Sequence, residues 1–206
     1  NIDLFIKRKK NKKIVVVQGL GFVGAAMSVV CANSDNEEYA VLGVDLPNTN
    51  SYWKIASMNE GLLPINSTDK KLERKYHNAI DNFNLFATYD FYAYSKADII
   101  IIDINLDVEK INDSFGSLVE YDIDLNAFKK AIYSVGENCK QDCLIIIETT
   151  VPPGTTENIV KPIIESCFRS RKINLNKIMI GHSYERVMPG PDYYDSIKNF
   201  YRVYSG

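Results

Sequence analysis

Lys13-Ile14-Val15-Val16-Val17-Gln18-Gly19-Leu20-Gly21-Phe22-Val23-Gly24-Ala25-Ala26 is the stretch that decides the fold. Its first six residues are short, apolar and largely β-branched, the signature of a strand buried on both faces of a parallel sheet. Three glycines follow in the spacing G-x-G-x-x-G, and small and apolar residues from Ala25 to Ala32 then read as a helix. Each glycine has its own use at such a strand–helix junction. Gly19 permits the tight turn, Gly21 lets the backbone approach a pyrophosphate, and Gly24 allows helix and strand to pack closely. The free N–H groups at the helix start are suited to an anion. Ala40 to Asp45 reads as a second strand ending in an acid, 21 residues past Gly24. That is close to the ~20-residue spacing at which a carboxylate accepts hydrogen bonds from a ribose. The same acid repels a 2′-phosphate, and Leu46-Pro47-Asn48-Thr49 offers no cation to offset it. NAD is therefore expected over NADP. The contacts expected of Gly19, Leu20, Gly21, Phe22, Val23, Gly24 and Asp45 are with that cofactor.

Outward from this stretch, strands and helices alternate. Leu85–Thr88, Ala97–Ile102, Cys143–Ile147 and Lys177–Gly181 read as strands. Asp69–Ile80 and Leu125–Cys139 read as helices, and Thr155 is placed to cap another from about Thr156 to Phe168. The pattern predicts an α/β fold: a Rossmann-like, doubly wound, mostly parallel sheet with helices on both faces. Residues 105–124 are polar and poorly periodic and read as a loop above the strand ends, where such sheets bind ligands. Residues 1–12 read as a basic lead-in, and 13–206 as the domain.

The chain has 206 residues, 46% of them apolar and 24% charged, which excludes collagen-like, disordered and coiled-coil classes. Its apolar runs are far shorter than the ~20 residues of a membrane span, and the basic N-terminal stretch is followed by no apolar region of the kind a signal peptide carries. A cytoplasmic protein with no membrane or nucleic-acid partner is expected. The net charge of −2 hides a run of six cations in seven residues, Lys7 to Lys13. Such a run could touch phosphate or anionic lipid, but a solvated lead-in is the simpler reading. The four cysteines, at 31, 139, 143 and 167, form no C-x-x-C pair and lie far from His77 and His182. No metal site is expected, and the thiols read as small packed hydrophobes. The aromatic tail (Tyr193, Tyr194, Phe200, Tyr201, Tyr204) reads as core or inter-domain packing.

Two further segments carry chemistry. Glu148-Thr149-Thr150-Val151-Pro152-Pro153-Gly154-Thr155-Thr156 follows a buried strand and opens a helix. His182-Ser183-Tyr184-Glu185-Arg186-Val187-Met188-Pro189-Gly190 follows the last strand. By spacing alone Glu185 fits either a cleft carboxylate or a surface residue. Taken together with the glycine turn and Asn59-Glu60-Gly61-Leu62-Leu63-Pro64-Ile65, these segments resemble, in order, the motifs of the UDP-glucose/GDP-mannose dehydrogenase family. The form is most similar to its UDP-N-acetylmannosamine dehydrogenase-type branch.

The resemblance implies a nucleotide-sugar 6-dehydrogenase of surface polysaccharide synthesis. Such enzymes oxidise a C6 alcohol to a carboxylate with two NAD per sugar, through an aldehyde and a cysteine-bound thioester. It also implies that Thr150 holds the reactive water and contacts the cofactor. Glu185 would contact substrate and assist water attack, with Glu148 and Thr149 beside them. For the full-length protein it implies a homodimer or higher homo-oligomer.

The match departs from the family in three places. None of the four cysteines has the setting of the family's nucleophile, and the chain stops at Gly206, before the expected substrate-binding domain. An N-terminal part of a longer enzyme is therefore expected, inactive by itself. Where many members carry G-T-P, this chain has Asp103-Ile104-Asn105-Leu106-Asp107, which removes a threonine contact to the cofactor. Pro189 stands where some branches carry a second glutamate. The alternatives are a non-catalytic Rossmann nucleotide-binding domain, or a 6-phosphogluconate or hydroxyacid type of dehydrogenase. The latter shares the first motif but leaves the segments at Thr149–Thr155 and Glu185–Gly190 unexplained.

Overall fold

The computed structural model describes residues 1–9, 11–106 and 108–206. Lys10 of the basic run and Asp107 of the altered motif lie outside the described residues. Six strands form one parallel sheet: β1 (Lys13–Gln18), β2 (Tyr39–Val44), β3 (Leu85–Thr88), β4 (Ile99–Ile102), β7 (Leu144–Ile147) and β8 (Met179–His182). Their order is β3-β2-β1-β4-β7-β8, so the chain reverses its winding direction between β1 and β4. That point is where an open α/β sheet leaves a crevice at its carboxyl edge.

Strand alternation divides the core. Val16, Leu42, Ile100, Ile102, Ile145 and Ile147 face one side. There they meet Phe128, Ile132 and Val135 of α5 (Asn126–Asn138) and Ile164 and Phe168 of α6 (Lys161–Ser170). Val15, Val17, Val41 and Ile101 face the other side, against α2 (Phe22–Ala32), α3 (Thr49–Asn59), α4 (Lys70–Asp81) and α7 (Tyr193–Asn199). This is the doubly wound arrangement expected. Cys139, Cys143 and Cys167 are buried, as small hydrophobes would be. Among the described residues no helix is long and apolar enough to cross a membrane.

Four regions differ from the sequence reading. The basic lead-in is helical: α1 (Ile2–Arg8) buries Ile2 and Phe5, three apart, in the core. Lys12 and Lys13 pair with Glu38 and Glu37 at 2.8 and 2.9 Å, so these cations answer the chain's own acids. Residues 105–124 are not a structureless loop. β5 (Val108–Asn112) and β6 (Leu118–Ile123) pair antiparallel. Asp113 closes their turn by accepting from the Phe115 and Ser117 N–H groups, with Gly116 at φ +82°. Ile111, Leu118 and Val119 are exposed, and a ribbon with so little buried face leaves no alternating pattern to read.

α3 was also hidden. It buries Ser51, Ile55 and Met58, so only two positions of its inner stripe are apolar. At the start of α6 the chain opens with a wide π-turn, Thr156–Val160, and Thr155 makes no side-chain capping bond. A capping carboxylate is instead found at Asp69. Its Oδ1 accepts from the N–H groups of Lys71 and Leu72 at the start of α4, and its Oδ2 from the Tyr194 N–H of α7 at 2.7 Å. Tyr193 and Tyr194 are buried there, whereas Phe200, Tyr201 and Tyr204 are exposed.

Candidate active site

The sheet register builds the site. Val44 pairs with Gln18, Gln18 with Ile102, Ile102 with Ile147, and Ile147 with His182. The residues that follow, Asp45, Gly19, Asp103, Glu148 and Ser183, therefore stand in one row along the carboxyl edge. Sequence-distant groups meet because their strands end flush.

The glycine turn sits at the centre of the row. Gly19 has φ +95°, and a Cβ there would lie 2.1 Å from the Asp103 carbonyl oxygen. A Cβ on Gly24 would lie 1.8 Å from the Gly19 carbonyl oxygen. Both glycines are required by packing within the protein. Gly21 is different: nothing lies within 4 Å of a Cβ built on it, so its outer side is open to a ligand. It is the N-cap of α2 and makes no side-chain capping bond. The first N–H groups of α2 lack intrahelical partners and point into this opening, at the positive end of the helix. Leu20 contributes only its backbone, because its side chain is fully buried in the core. Phe22 is half exposed, and it lines the cleft with Val23.

On one side of Gly21 lies a cavity of about 220 Å³, bounded by Gln18–Gly21, Asp45, Leu46, Lys54, Phe91, Tyr94, Asp103 and the small face of α5 at Ala127 and Ala131. Asp45 is the polar anchor here. Its Oδ1 accepts from Leu46 N (2.8 Å) and Ser51 Oγ (2.9 Å). Its Oδ2 accepts from Lys54 Nζ (3.0 Å) and Leu20 N (3.2 Å). Leu46–Thr49 carries no cation, but Lys54 supplies one, brought back to Asp45 by the α3 helix that the pattern conceals. Gln18 Oε1 and Tyr94 Oη are buried in this cavity's wall with no partner.

On the other side lies a cavity of about 470 Å³, lined by Gly21–Gly24, Asp103–Leu106, Glu148, Thr149, Thr150 and Glu185. Thr150 is exposed in it, and Glu185 is half-buried across the same space. Thr149 is structural: its hydroxyl donates to the Ile102 carbonyl and accepts from the Ile104 N–H at 2.8 Å. The Glu185 N–H donates to the Glu148 carbonyl at 3.1 Å, and its carboxylate accepts from the Val187 N–H. Burial raises the Glu185 pKa, and the backbone donors at Val187 and Arg186 oppose that rise.

Glu148 is buried and paired with Arg202, a partner 54 positions away that no local pattern announces. Its Oε2 has no partner. Asp103 is pushed up to about 7, first by burial, then by the Glu185 carboxylate, with Arg202 acting in the opposite direction. Its Oδ2 is also unpartnered. Gly21 and Asp103–Asn105 line both cavities.

The residues present fit a dinucleotide. They offer an apolar slot beside a carboxylate, an open helix start with no Cβ in the way, and a second chamber carrying hydroxyl and carboxyl groups. A parallel sheet with this strand order and this turn at its switch point defines a Rossmann-type NAD-binding domain. Residues 12–203 match the model for the UDP-glucose/GDP-mannose dehydrogenase family, NAD binding domain, and the chain belongs to that family. It is 29% identical to Protein CapL of Staphylococcus aureus over 95% of this chain and 40% of that protein. It is also 29% identical to a UDP-N-acetyl-D-mannosamine dehydrogenase of Methanocaldococcus jannaschii, over 91% of this chain and 38% of that protein. The crystal structure of an NDP-N-acetyl-D-galactosaminuronic acid dehydrogenase from Methanosarcina mazei superposes with a TM-score of 0.81 at 27% identity. It covers all of this chain and 41% of that one. The chain thus spans about two fifths of the length of the curated relatives it matches.

Proposed function

We propose that this chain is the cofactor-binding part of an enzyme that oxidises the C6 alcohol of a nucleotide sugar to a carboxylate with two NAD. The nucleophile and the sugar-binding surface would be carried by further domains, and residues 1–206 alone would bind NAD without completing the reaction. The observation that carries this reading is the second chamber, where Thr150 and Glu185 share one space with the open side of the glycine turn. NAD supplies the hydride acceptor. This chain's residues bind and orient it: the α2 start takes the pyrophosphate over Gly21, and Asp45 takes the adenosine ribose, exchanging one of its present donors for a ribose hydroxyl. Thr150 orients a water. Glu185, its pKa raised by burial, receives that water's proton. We further propose a cytoplasmic homodimer or higher homo-oligomer acting on a nucleotide sugar.

The test has two arms. In the first, NAD binding to residues 1–206 is followed by calorimetry. Asp45→Ala is expected to weaken NAD by about 30-fold, the worth of hydrogen bonds to a charged group, and to spare NADP. An unchanged NAD affinity would overturn the cofactor-site assignment. In the second, NADH release by the full-length enzyme is measured against a panel of UDP-sugars. Thr150→Ala and Glu185→Gln are expected to abolish turnover, Glu185→Gln with NAD binding intact and Thr150→Ala with NAD binding weakened far less than turnover, and wild-type-like turnover would remove both from the chemistry.

A further inference from the structure

Asp103 follows β4 at the carboxyl edge of the sheet, packed against the glycine turn. Its backbone is fixed: the Asp103 N–H donates to the Gln18 carbonyl at 2.9 Å, and its own carbonyl packs against Gly19. A Cβ built on Gly24 would lie 3.5 Å from the Asp103 Cβ, so the side chain stands against the glycine turn itself. The residue lines both chambers. One carboxyl oxygen is buried without a hydrogen bond, a costly condition that a ligand donor would relieve.

We propose that the Asp103 carboxylate binds the hydroxyls of the second ribose, the one on the nicotinamide side, of the bound dinucleotide. The inference rests on the reading of this cleft as the NAD site and adds a residue to it. A ligand that crosses Gly21 from the Asp45 chamber to the Thr150 chamber passes Asp103 just beyond its pyrophosphate, where the second ribose lies. The charges facing Asp103 select the group. Glu185 from the loop after β8 is anionic, Tyr193 of α7 is a neutral phenol, and Arg202 of the C-terminal segment is engaged by Glu148. A phosphate placed there would meet two carboxylates, whereas a vicinal diol brings O–H donors to an acceptor that lacks them. The pKa near 7 has the same origin, a buried carboxyl short of donors. Asp103 and Asp45 would then hold the two riboses in the same way, one at each end of the pyrophosphate.

ADP and ADP-ribose separate the two ends, because ADP lacks the second ribose. Their affinities for residues 1–206 are measured at pH 8 for the wild type, Asp103→Ala and the shape-conserving Asp103→Asn. The expected result is a loss of about tenfold in ADP-ribose affinity for Asp103→Ala, a smaller loss for Asp103→Asn, and unchanged ADP affinity in both. Retained ADP binding also shows that each variant is folded. Equal losses for the two ligands, a loss for ADP alone, or no loss for either would overturn the proposal. If the wild type bound neither ligand, the underlying reading of the cleft would fall instead.

Discussion

At one end of the cleft Asp45 is met by four donors, while at the other Asp103 and Glu148 each keep an oxygen that nothing bonds. Both ends belong to the same row of strand termini, so the difference lies in what surrounds the row. Asp45 is followed four residues on by the start of α3, whose first turns return a hydroxyl and an ammonium to it. The residues just after Asp103 and Glu148 belong to no helix or strand, and their neighbours include a third carboxylate, Glu185. The Asp45 carboxylate has its donors before any ligand arrives, while Gln18 Oε1 and Tyr94 Oη in the wall of the same chamber do not. The carboxyls of Asp103 and Glu148 are unfinished, the condition expected where a substrate or cofactor is to supply the missing partners.

The largest effect that could break this contrast is its pH dependence. Unfolded, Asp103 ionises near the usual ~3.9, whereas in the fold it holds its proton to about 7. Between these values the native state binds more protons than the unfolded one, so stability falls as pH rises through the window and is level above it. The fall attributable to Asp103 is up to about 4 kcal/mol. Urea unfolding across pH 4 to 8 is expected to show it, and Asp103→Asn is expected to flatten it, leaving the smaller part due to Glu185. A slope unchanged by the substitution would place the titration elsewhere.

Next in size is the Arg202–Glu148 pair. Arg202→Met leaves Glu148 buried without its cation and is expected to cost about 3 kcal/mol, whereas Arg202→Met combined with Glu148→Gln recovers most of it. Equal losses in the single and double variants would show that Arg202 acts by packing alone. The smallest effect belongs to the Asp45 end. Lys54→Met removes the cation beside Asp45 and is expected to lower NADP affinity relative to NAD by about fivefold. Parallel titrations with the two nucleotides would show whether Lys54 tempers the selectivity proposed for Asp45.

What could be read in the residues follows the same division. β1, the glycine turn and Asp45 were legible because their meaning is local: a strand, a turn and an acid at fixed spacing, each with its own physical demand. The alternation of strands and helices was legible for the same reason. Lys54 was missed because Ser51 interrupts the apolar stripe of α3, so the helix that returns it to Asp45 left no periodic trace. The Arg202–Glu148 pair is illegible because its partners are far apart in sequence, and the segment from Asp103 to Asp107 reads only as lacking a threonine contact, with nothing local to mark Asp103 as a carboxyl that lines both chambers. The hairpin at 108–123 is illegible because its apolar Ile111, Leu118 and Val119 are exposed, so burial imposes no alternation on them.

Asp69 lies outside the cleft, yet one of its oxygens closes the start of α4 and the other the start of α7. The segment that carries Glu185 is consequently clamped at both ends, to the β7 terminus through Ser183 and Glu185 and to α4 through Tyr194. A slackening of that distant clasp would leave the segment tied at the β7 end alone, with every residue lining the Thr150 chamber still in place.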